Sequence, residues 1–168
     1  ILPDYSFSTD VIVGYPSESD EDFEETMSLM REVRFDSAFM FYYSERDGTL
    51  AARKKPDDVP LELKKGRLRR LIDQQEEISA EVNQTQIGRE HEILVIGPTR
   101  RNPDQVMGRS SCFRTTIFDQ KPLDEGGYHP GDIVRVKINR ATSHTLFGEV
   151  SEVVSRAPLG PKFSALNA

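Results

Sequence analysis

The stretch Ser8-Thr9-Asp10-Val11-Ile12-Val13-Gly14-Tyr15-Pro16-Ser17-Glu18-Ser19-Asp20-Glu21-Asp22-Phe23 decides how the first half of the chain folds. Residues 9–15 are rich in Val and Ile and read as a strand. Gly14 closes it, because a glycine at a strand end admits a tight turn and a close backbone approach. Ser19 then reads as the N-cap of a helix, with Asp22 three residues on as a short capping box. Asp20, Glu21 and Asp22 crowd the first turn, where the helix dipole favours negative charge. Phe23, Met27, Met30 and Val33 follow at the spacing of one helix face.

Working outward, residues 37–43 (Ser-Ala-Phe-Met-Phe-Tyr-Tyr) are apolar without strict alternation, the pattern of a strand covered on both faces in a parallel sheet. Strand, helix and strand within about 35 residues make a βαβ unit. A basic, Pro-bounded loop, Arg53-Lys54-Lys55-Pro56-Asp57-Asp58, leads into a long helical pattern after Pro60. Leu68, Leu71, Ile72, Gln75, Ile78 and Val82 mark its buried stripe. It is expected to end near Gln86, with Gly88 as the stop.

From Gly88 the texture changes. Short β-rich runs (Glu92–Ile96, Val106–Arg109, Arg114–Phe118, Ile133–Ile138 and Thr145–Val150) alternate with Gly, Pro, Asn and Asp turns. Five short strands in about 60 residues suggest a small OB-like barrel. The stretch from Arg156 to Ala168, with Pro158, Gly160 and Pro161, reads as loosely ordered. Two parallel strands cannot cover both faces of a sheet, and their edges stay open. Residues 1–87 therefore read as the last piece of a larger sheet or barrel.

Charge follows the same division. The net charge of the 168 residues is -6, but residues 1–87 carry 11 Lys and Arg against 19 Asp and Glu, a balance of -8. Residues 88–168 carry 11 against 9, a balance of +2. An acidic chain is not an obvious nucleic-acid binder, but its separate basic half can be one. Mean hydropathy is -0.54. No apolar run reaches the roughly 20 residues that cross a bilayer, so no membrane partner is expected. The lone cysteine, Cys112, excludes an intrachain disulfide and any metal or iron–sulfur site built from several cysteines of this chain. His91, His129 and His144 lack metal-ligand spacing, so no metal ligands are expected.

Two loops carry candidate chemistry. In Gly14-Tyr15-Pro16-Ser17-Glu18 the acidic helix start argues against phosphate, and Glu18 can accept hydrogen bonds from an amine or a ribose. The same residues can equally form a plain β–α turn with a solvated carboxylate. In Ser44-Glu45-Arg46-Asp47-Gly48-Thr49, Arg46 can grip a carboxylate in bidentate fashion, and Thr49 and the amides near Gly48 add donors. A surface loop with a solvated arginine is the alternative.

Taken together, these motifs resemble the radical S-adenosylmethionine methylthiotransferases. The resemblance rests on Thr9-Asp10-Val11-Ile12-Val13-Gly14-Tyr15-Pro16-x-Glu18 with Asp22-Phe23-Glu24-Glu25-Thr26, and then on Phe41-x-Tyr43-Ser44-x-Arg46-x-Gly48-Thr49-x-Ala51-Ala52. Arg67-Leu68-Arg69-Arg70-Leu71 is similar to their linker helix. Gly97-Pro98-Thr99-Arg100-Arg101-Asn102-Pro103-Asp104-Gln105-Val106-Met107-Gly108-Arg109 and Leu146-Phe147-Gly148-Glu149-Val150 resemble their C-terminal TRAM domain. Ser17 stands where the family usually has glycine, Tyr15 where it has phenylalanine, and Glu45 and Asp47 where proline is common.

The resemblance implies a fold class of α/β followed by β. Residues 1–87 would be a C-terminal βαβ piece of a TIM-like radical barrel with its linker helix. A five-stranded OB-like TRAM barrel would follow over 88–153, and a flexible tail over 154–168. It also implies a cytoplasmic, monomeric transferase that adds a methylthio group to C2 of N6-isopentenyladenosine beside the anticodon of tRNA. The cofactors would be S-adenosylmethionine and two 4Fe–4S clusters, whose cysteines are not in this sequence. The chain alone should then be inactive, and its partners would be the rest of the polypeptide and a tRNA anticodon stem-loop. A branch acting on a ribosomal-protein aspartate, a branch acting on threonylcarbamoyladenosine and a non-catalytic RNA-binding module are the alternatives. The implied cofactor contacts are Gly14, Pro16, Glu18, Ser44, Arg46, Gly48 and Thr49, with no catalytic residue of this chain's own. Arg100, Arg101, Arg109, Arg114, Lys137 and Arg140 are candidates for RNA phosphates. Phe113 and Phe118 are candidates for stacking on a base, and Cys112 is a bystander.

Overall fold

A computed structural model describes residues 5–121 and 126–158. The chain forms two compact units that divide at Val82 and Asn83, five residues before the boundary expected at 87.

The first unit begins with β1 (Ser8–Val13), α1 (Asp20–Val33) and β2 (Ser37–Tyr42). The strands pair in parallel, Ser8 opposite Ser37 through Val13 opposite Tyr42. The capping box at the start of α1 forms: Asp22 N–H donates to Ser19 Oγ (3.1 Å) and Ser19 N–H to an Asp22 carboxylate oxygen (2.9 Å). Phe23, Met27 and Met30 are buried with Val13 and Leu71, and Val11, Phe35, Ala38, Met40 and Leu68 pack against them. Val33, placed on that face by its spacing, is instead 39% exposed. It is the last helical residue, before Arg34 turns left-handed at φ 55°.

A short helix that the sequence left as loop, α2 (Leu50–Lys54), is capped by Thr49. The long α3 (Leu61–Gln84) ends two residues earlier than expected. Only one face of the β1–β2 sheet is covered. On the other, Ile12, Phe39 and Phe41 are 56%, 64% and 53% exposed. The absence of strict alternation in residues 37–43 thus reflects a second face, carrying Phe39 and Phe41, that nothing among the described residues covers.

The second unit is a closed barrel in the order β3-β4-β5-β7-β6. Its strands are β3 (Glu90–Pro98), β4 (Gln105–Ser110), β5 (Thr115–Asp119), β6 (Ile133–Ala141) and β7 (Thr145–Ser155). β3 is shared, its first half pairing with β6 and its second half with β4. β5 closes the barrel against β7 in parallel. Inward residues alternate along the strands as the pleat requires. Ile93, Val95, Val106, Phe118, Val134, Val136, Ile138 and Leu146 make the core. Gly148 has a structural reason, since a Cβ there would collide with the Lys137 carbonyl and the Val136 side chain.

Two expectations need correction. Phe118 cannot stack on a base: it is 2% exposed, because its place on β5 points it inward against Tyr128. Nor does a loose tail begin at residue 154. β7 runs through Ser155, and Arg156 is held by the Asp132 carboxylate (2.8 Å) and the carbonyls of Gly126 and Gly127 (both 2.7 Å). The expectation for residues 159–168 falls outside the described residues.

Candidate functional site

In the first unit the candidate residues gather where β1 and β2 end, the place where parallel sheets bind ligands. Gly14 follows β1 with φ at 68°. A Cβ at Gly14 would strike the stem of Lys64, so both its conformation and its surroundings call for glycine. Its N–H donates to Glu18 Oε2 (2.7 Å). Glu18 is 10% exposed and is not a solvated carboxylate, since Arg67 Nη1 reaches the same oxygen at 2.6 Å. Ser17 stands at φ 69°, which explains why a glycine suits this position. Asp58 accepts from Ser17 N–H (2.7 Å), and Lys55 Nζ donates to Ser17 Oγ (2.9 Å). Pro16 is buried and Tyr15 is 42% exposed.

The loop after β2 is different. Tyr43 N–H still bonds to the Val13 carbonyl (2.8 Å), and residues 44–49 then lie exposed. Gly48 adopts φ 81°. Thr49 is occupied as a cap, accepting from Ala52 N–H and donating to the Arg46 carbonyl (2.9 Å). Ser44 and Arg46 therefore offer polar side chains at the sheet end, while Glu18 and Thr49 hold the loops.

Sequence reasoning missed the two side chains that organise these loops. Lys64 and Arg67 are each 3% exposed. Lys64 Nζ donates to both Asp57 carboxylate oxygens (2.5 and 2.7 Å) and to the Tyr43 carbonyl (3.2 Å). Arg67 also bonds to the Glu18 carbonyl (3.1 Å) and to Asp20 (2.7 Å). Burial alone would lower the Arg67 pKa, but the bonds to Asp20 and Glu18 outweigh it and raise the value above the ordinary one. Positions 64 and 67 continue the stripe of 71, 75 and 78 backwards, but their charge marks them as solvent-facing and no local signal shows their burial.

In the barrel the structure separates the proposed RNA contacts. Arg100 and Arg101 lie exposed in the loop that enters β4, whereas Arg109 and Phe113 lie at its other end. Phe113 is 81% exposed at φ 58°, an unusual conformation for a bulky residue. Arg109 donates to its carbonyl (2.8 Å), and its N–H bonds to the Ser110 carbonyl (2.9 Å). Arg114 is half-buried beside it. Around the outer surface Met107 sits opposite Ile117, Ile117 opposite Phe147, and Phe147 opposite Arg140. The Arg140 guanidinium lies 3.5 Å from the Phe147 ring centroid. Lys137 does not join this face, because its cross-strand neighbours are Glu90 and Glu149.

Residues 84–151 match the family model of the TRAM domain. The chain is 54% identical over 151 residues to the tRNA-2-methylthio-N(6)-dimethylallyladenosine synthase of Chlorobium limicola, covering 90% of this chain and 33% of that protein. Identity is 48% to the synthases of the same name from Parabacteroides distasonis and Porphyromonas gingivalis, over 90% of this chain and 32% of each. Over these residues the chain is similar to the C-terminal region of this group of synthases, with the TRAM match in its second unit. It spans about a third of the length of the curated relatives it matches. The barrel of β3–β7 is its TRAM domain, and the row of Met107, Ile117 and Phe147 lies on the outside of that domain. The β1 and β2 end loops precede the TRAM match.

Proposed function

We propose that this chain is the C-terminal part of a tRNA methylthiotransferase that adds a methylthio group to C2 of N6-isopentenyladenosine beside the anticodon. Residues 1–82 would complete a radical barrel whose other strands precede them, and the TRAM domain would hold the tRNA. The observation that carries this reading is the bare face of the β1–β2 sheet. Ile12, Phe39 and Phe41 are more than half exposed, between two open strand edges. A two-stranded sheet is marginal alone, and large uncovered apolar patches mark surfaces that other structure covers. In a closed barrel that face would be the interior.

The cofactor reading fits some groups and not others. Exposed Ser44 and Arg46 at the sheet end suit the ribose and carboxylate of S-adenosylmethionine, and Tyr15, edge-on to the Tyr43 ring at 5.3 Å, adds a partly exposed apolar surface. When bound, that cofactor supplies the radical and the methyl chemistry; the residues here bind and orient it. The chain does not fit a 4Fe–4S cluster. Its one cysteine, Cys112, lies in the β4–β5 turn, and no group of three His, Cys, Asp or Glu among the described residues could hold a metal. The cluster thiolates would come from the rest of the polypeptide.

For RNA, the outer surface of the barrel carries exposed arginines at both ends of β4 (Arg100 and Arg101, then Arg109 beside Phe113) and on β6 (Arg140), with the Met107–Ile117–Phe147 row between strands. Basic side chains track phosphates and aromatic rings stack on unpaired bases. The test uses full-length protein with reconstituted clusters, S-adenosylmethionine and an isopentenylated anticodon stem-loop, read by mass spectrometry of the nucleosides. One methylthio group on that adenosine is expected, with binding that weakens steeply as salt rises. Modification of a ribosomal-protein peptide in place of the RNA would refute the substrate assignment.

A further inference from the structure

Lys64 and Arg67 occupy positions where α3 would ordinarily carry apolar side chains. Charged residues are almost never so buried unless paired, and both are. They lie three residues apart on one helical turn, yet they serve loops that follow different strands. Arg67 binds the Glu18 carboxylate and carbonyl and the Asp20 carboxylate, and so fixes the turn after β1. Lys64 binds the Tyr43 carbonyl, the first residue after β2, and ties Asp57 to it. The Lys64 stem fills the space beside Gly14. Its ammonium lies 5.1 Å from the Tyr43 ring centroid, and the Arg67 guanidinium lies 5.5 Å from that of Phe23.

Stability alone is a poor explanation for such a pair. Desolvating two cations is costly, and well-packed apolar side chains of similar volume are often as stabilising or more so. An apolar pair could not, however, hold the Glu18 and Tyr43 backbone at fixed hydrogen-bond distances. What the cations add is geometry at two strand ends, where displacements of an ångström decide whether a ligand is gripped.

We propose that Lys64 and Arg67 are positioning residues that set the β1 and β2 end loops in the shape that binds S-adenosylmethionine. The proposal rests on the cofactor reading given above. Glu18 then acts through the turn it shapes, with its carboxylate committed to Gly14 N–H and Arg67, and the ligand meets the exposed Tyr15, Ser44 and Arg46.

The test measures the dissociation constant of S-adenosylmethionine by equilibrium dialysis on full-length protein with reconstituted clusters. Arg67→Met and Lys64→Met are compared with Leu71→Ala, which opens the apolar cluster of Val13, Phe23, Met27 and Met30 and removes no hydrogen bond to either loop. A rise of tenfold or more is expected for the two cation variants, with Leu71→Ala within threefold of wild type. Arg67→Lys keeps the charge but loses the planar fork that reaches Glu18 from Nη1 and Asp20 from Nη2. It should fall between wild type and Arg67→Met, and it gives a readout even where Arg67→Met fails to fold. Equal losses in Leu71→Ala and Arg67→Met would overturn the positioning role, as would unchanged affinity in Arg67→Lys and Lys64→Met. Wild-type protein that does not bind S-adenosylmethionine would overturn the cofactor reading itself, and this proposal with it.

Discussion

The two units solve the edge problem in opposite ways. In the TRAM barrel every strand has two neighbours, and the core of Ile93, Val134, Val136 and Leu146 is close to fully buried. Among the described residues, the first unit has two strands, two open edges, one bare face with exposed Ile12, Phe39 and Phe41, and two buried cations. A closed barrel consumes its own hydrogen-bonding capacity and its own apolar surface. The β1–β2 sheet leaves both available, and it concentrates charge where its strands end. Self-sufficiency in one unit and incompleteness in the other teach where the proposed partners would meet this chain: at the surface of the barrel, but at the margins and ends of the sheet.

The largest effects should come from breaking each core separately. Leu146→Ala empties a fully buried site in the barrel and should cost about 2–5 kcal/mol there. Phe23→Ala should cost a similar amount in the first unit. Residue-resolved amide hydrogen exchange should show the loss confined to the unit that carries the substitution. Equal loss of protection in both units from either change would erase the distinction drawn between them.

Much of this was legible in the sequence. The capping box at Ser19 and Asp22, the strand at Val11–Val13 and the five barrel strands follow from local chemistry and period. Local signals could not show that the stripe of α3 continues into Lys64 and Arg67. Those residues are buried only because Glu18, Asp20, Asp57 and the Tyr43 carbonyl arrive from distant parts of the chain. Phe118 was misread for a related reason: composition makes an aromatic a stacking candidate, but strand phase decides which side of the barrel it faces. Arg100 and Arg109 look like neighbours in a basic run, and a single short strand places them at opposite ends.

An intermediate effect is expected where the barrel is fastened by charge. Burial would raise the Asp132 pKa, but the N–H groups of His129 and Ala157 and the Arg156 guanidinium outweigh it and hold it below its ordinary value of 3.8. A carboxyl with a depressed folded-state pKa adds stability that is present above its unfolded pKa and is lost as pH falls through the folded one. The barrel should therefore weaken as pH drops below about 4. Asp132→Asn should remove about 1–3 kcal/mol at neutral pH and flatten that acid dependence. Thermal unfolding followed between pH 2 and pH 7 on the order of one unit per step checks both. An unchanged acid slope in the variant would place the titrating group elsewhere.

A smaller change, of the other sign, is expected at the sheet end. Ser17 holds φ at 69°, a conformation in which any side chain is strained and glycine is not. Ser17→Gly should stabilise the first unit by up to about 1 kcal/mol, less whatever the exposed hydroxyl contact with Lys55 contributes. A loss of stability, measured by denaturant unfolding, would mean that the bond to Lys55 outweighs the backbone strain.

The smallest effect on this chain tests the comparison most sharply. Phe39 and Phe41 face outward from β2 and are more than half exposed, so their side chains lose little water on folding. Replacing both with serine should change the stability of this chain by less than about 0.5 kcal/mol per site. In the full-length protein the same pair should destabilise, because a face that other strands have covered then loses apolar contacts. The sign of the difference between the two backgrounds is the measurement. If the double variant is equally neutral in both, the bare face is a surface in its own right. The β1–β2 sheet would then be complete as it stands, and the radical-barrel reading would lose its support.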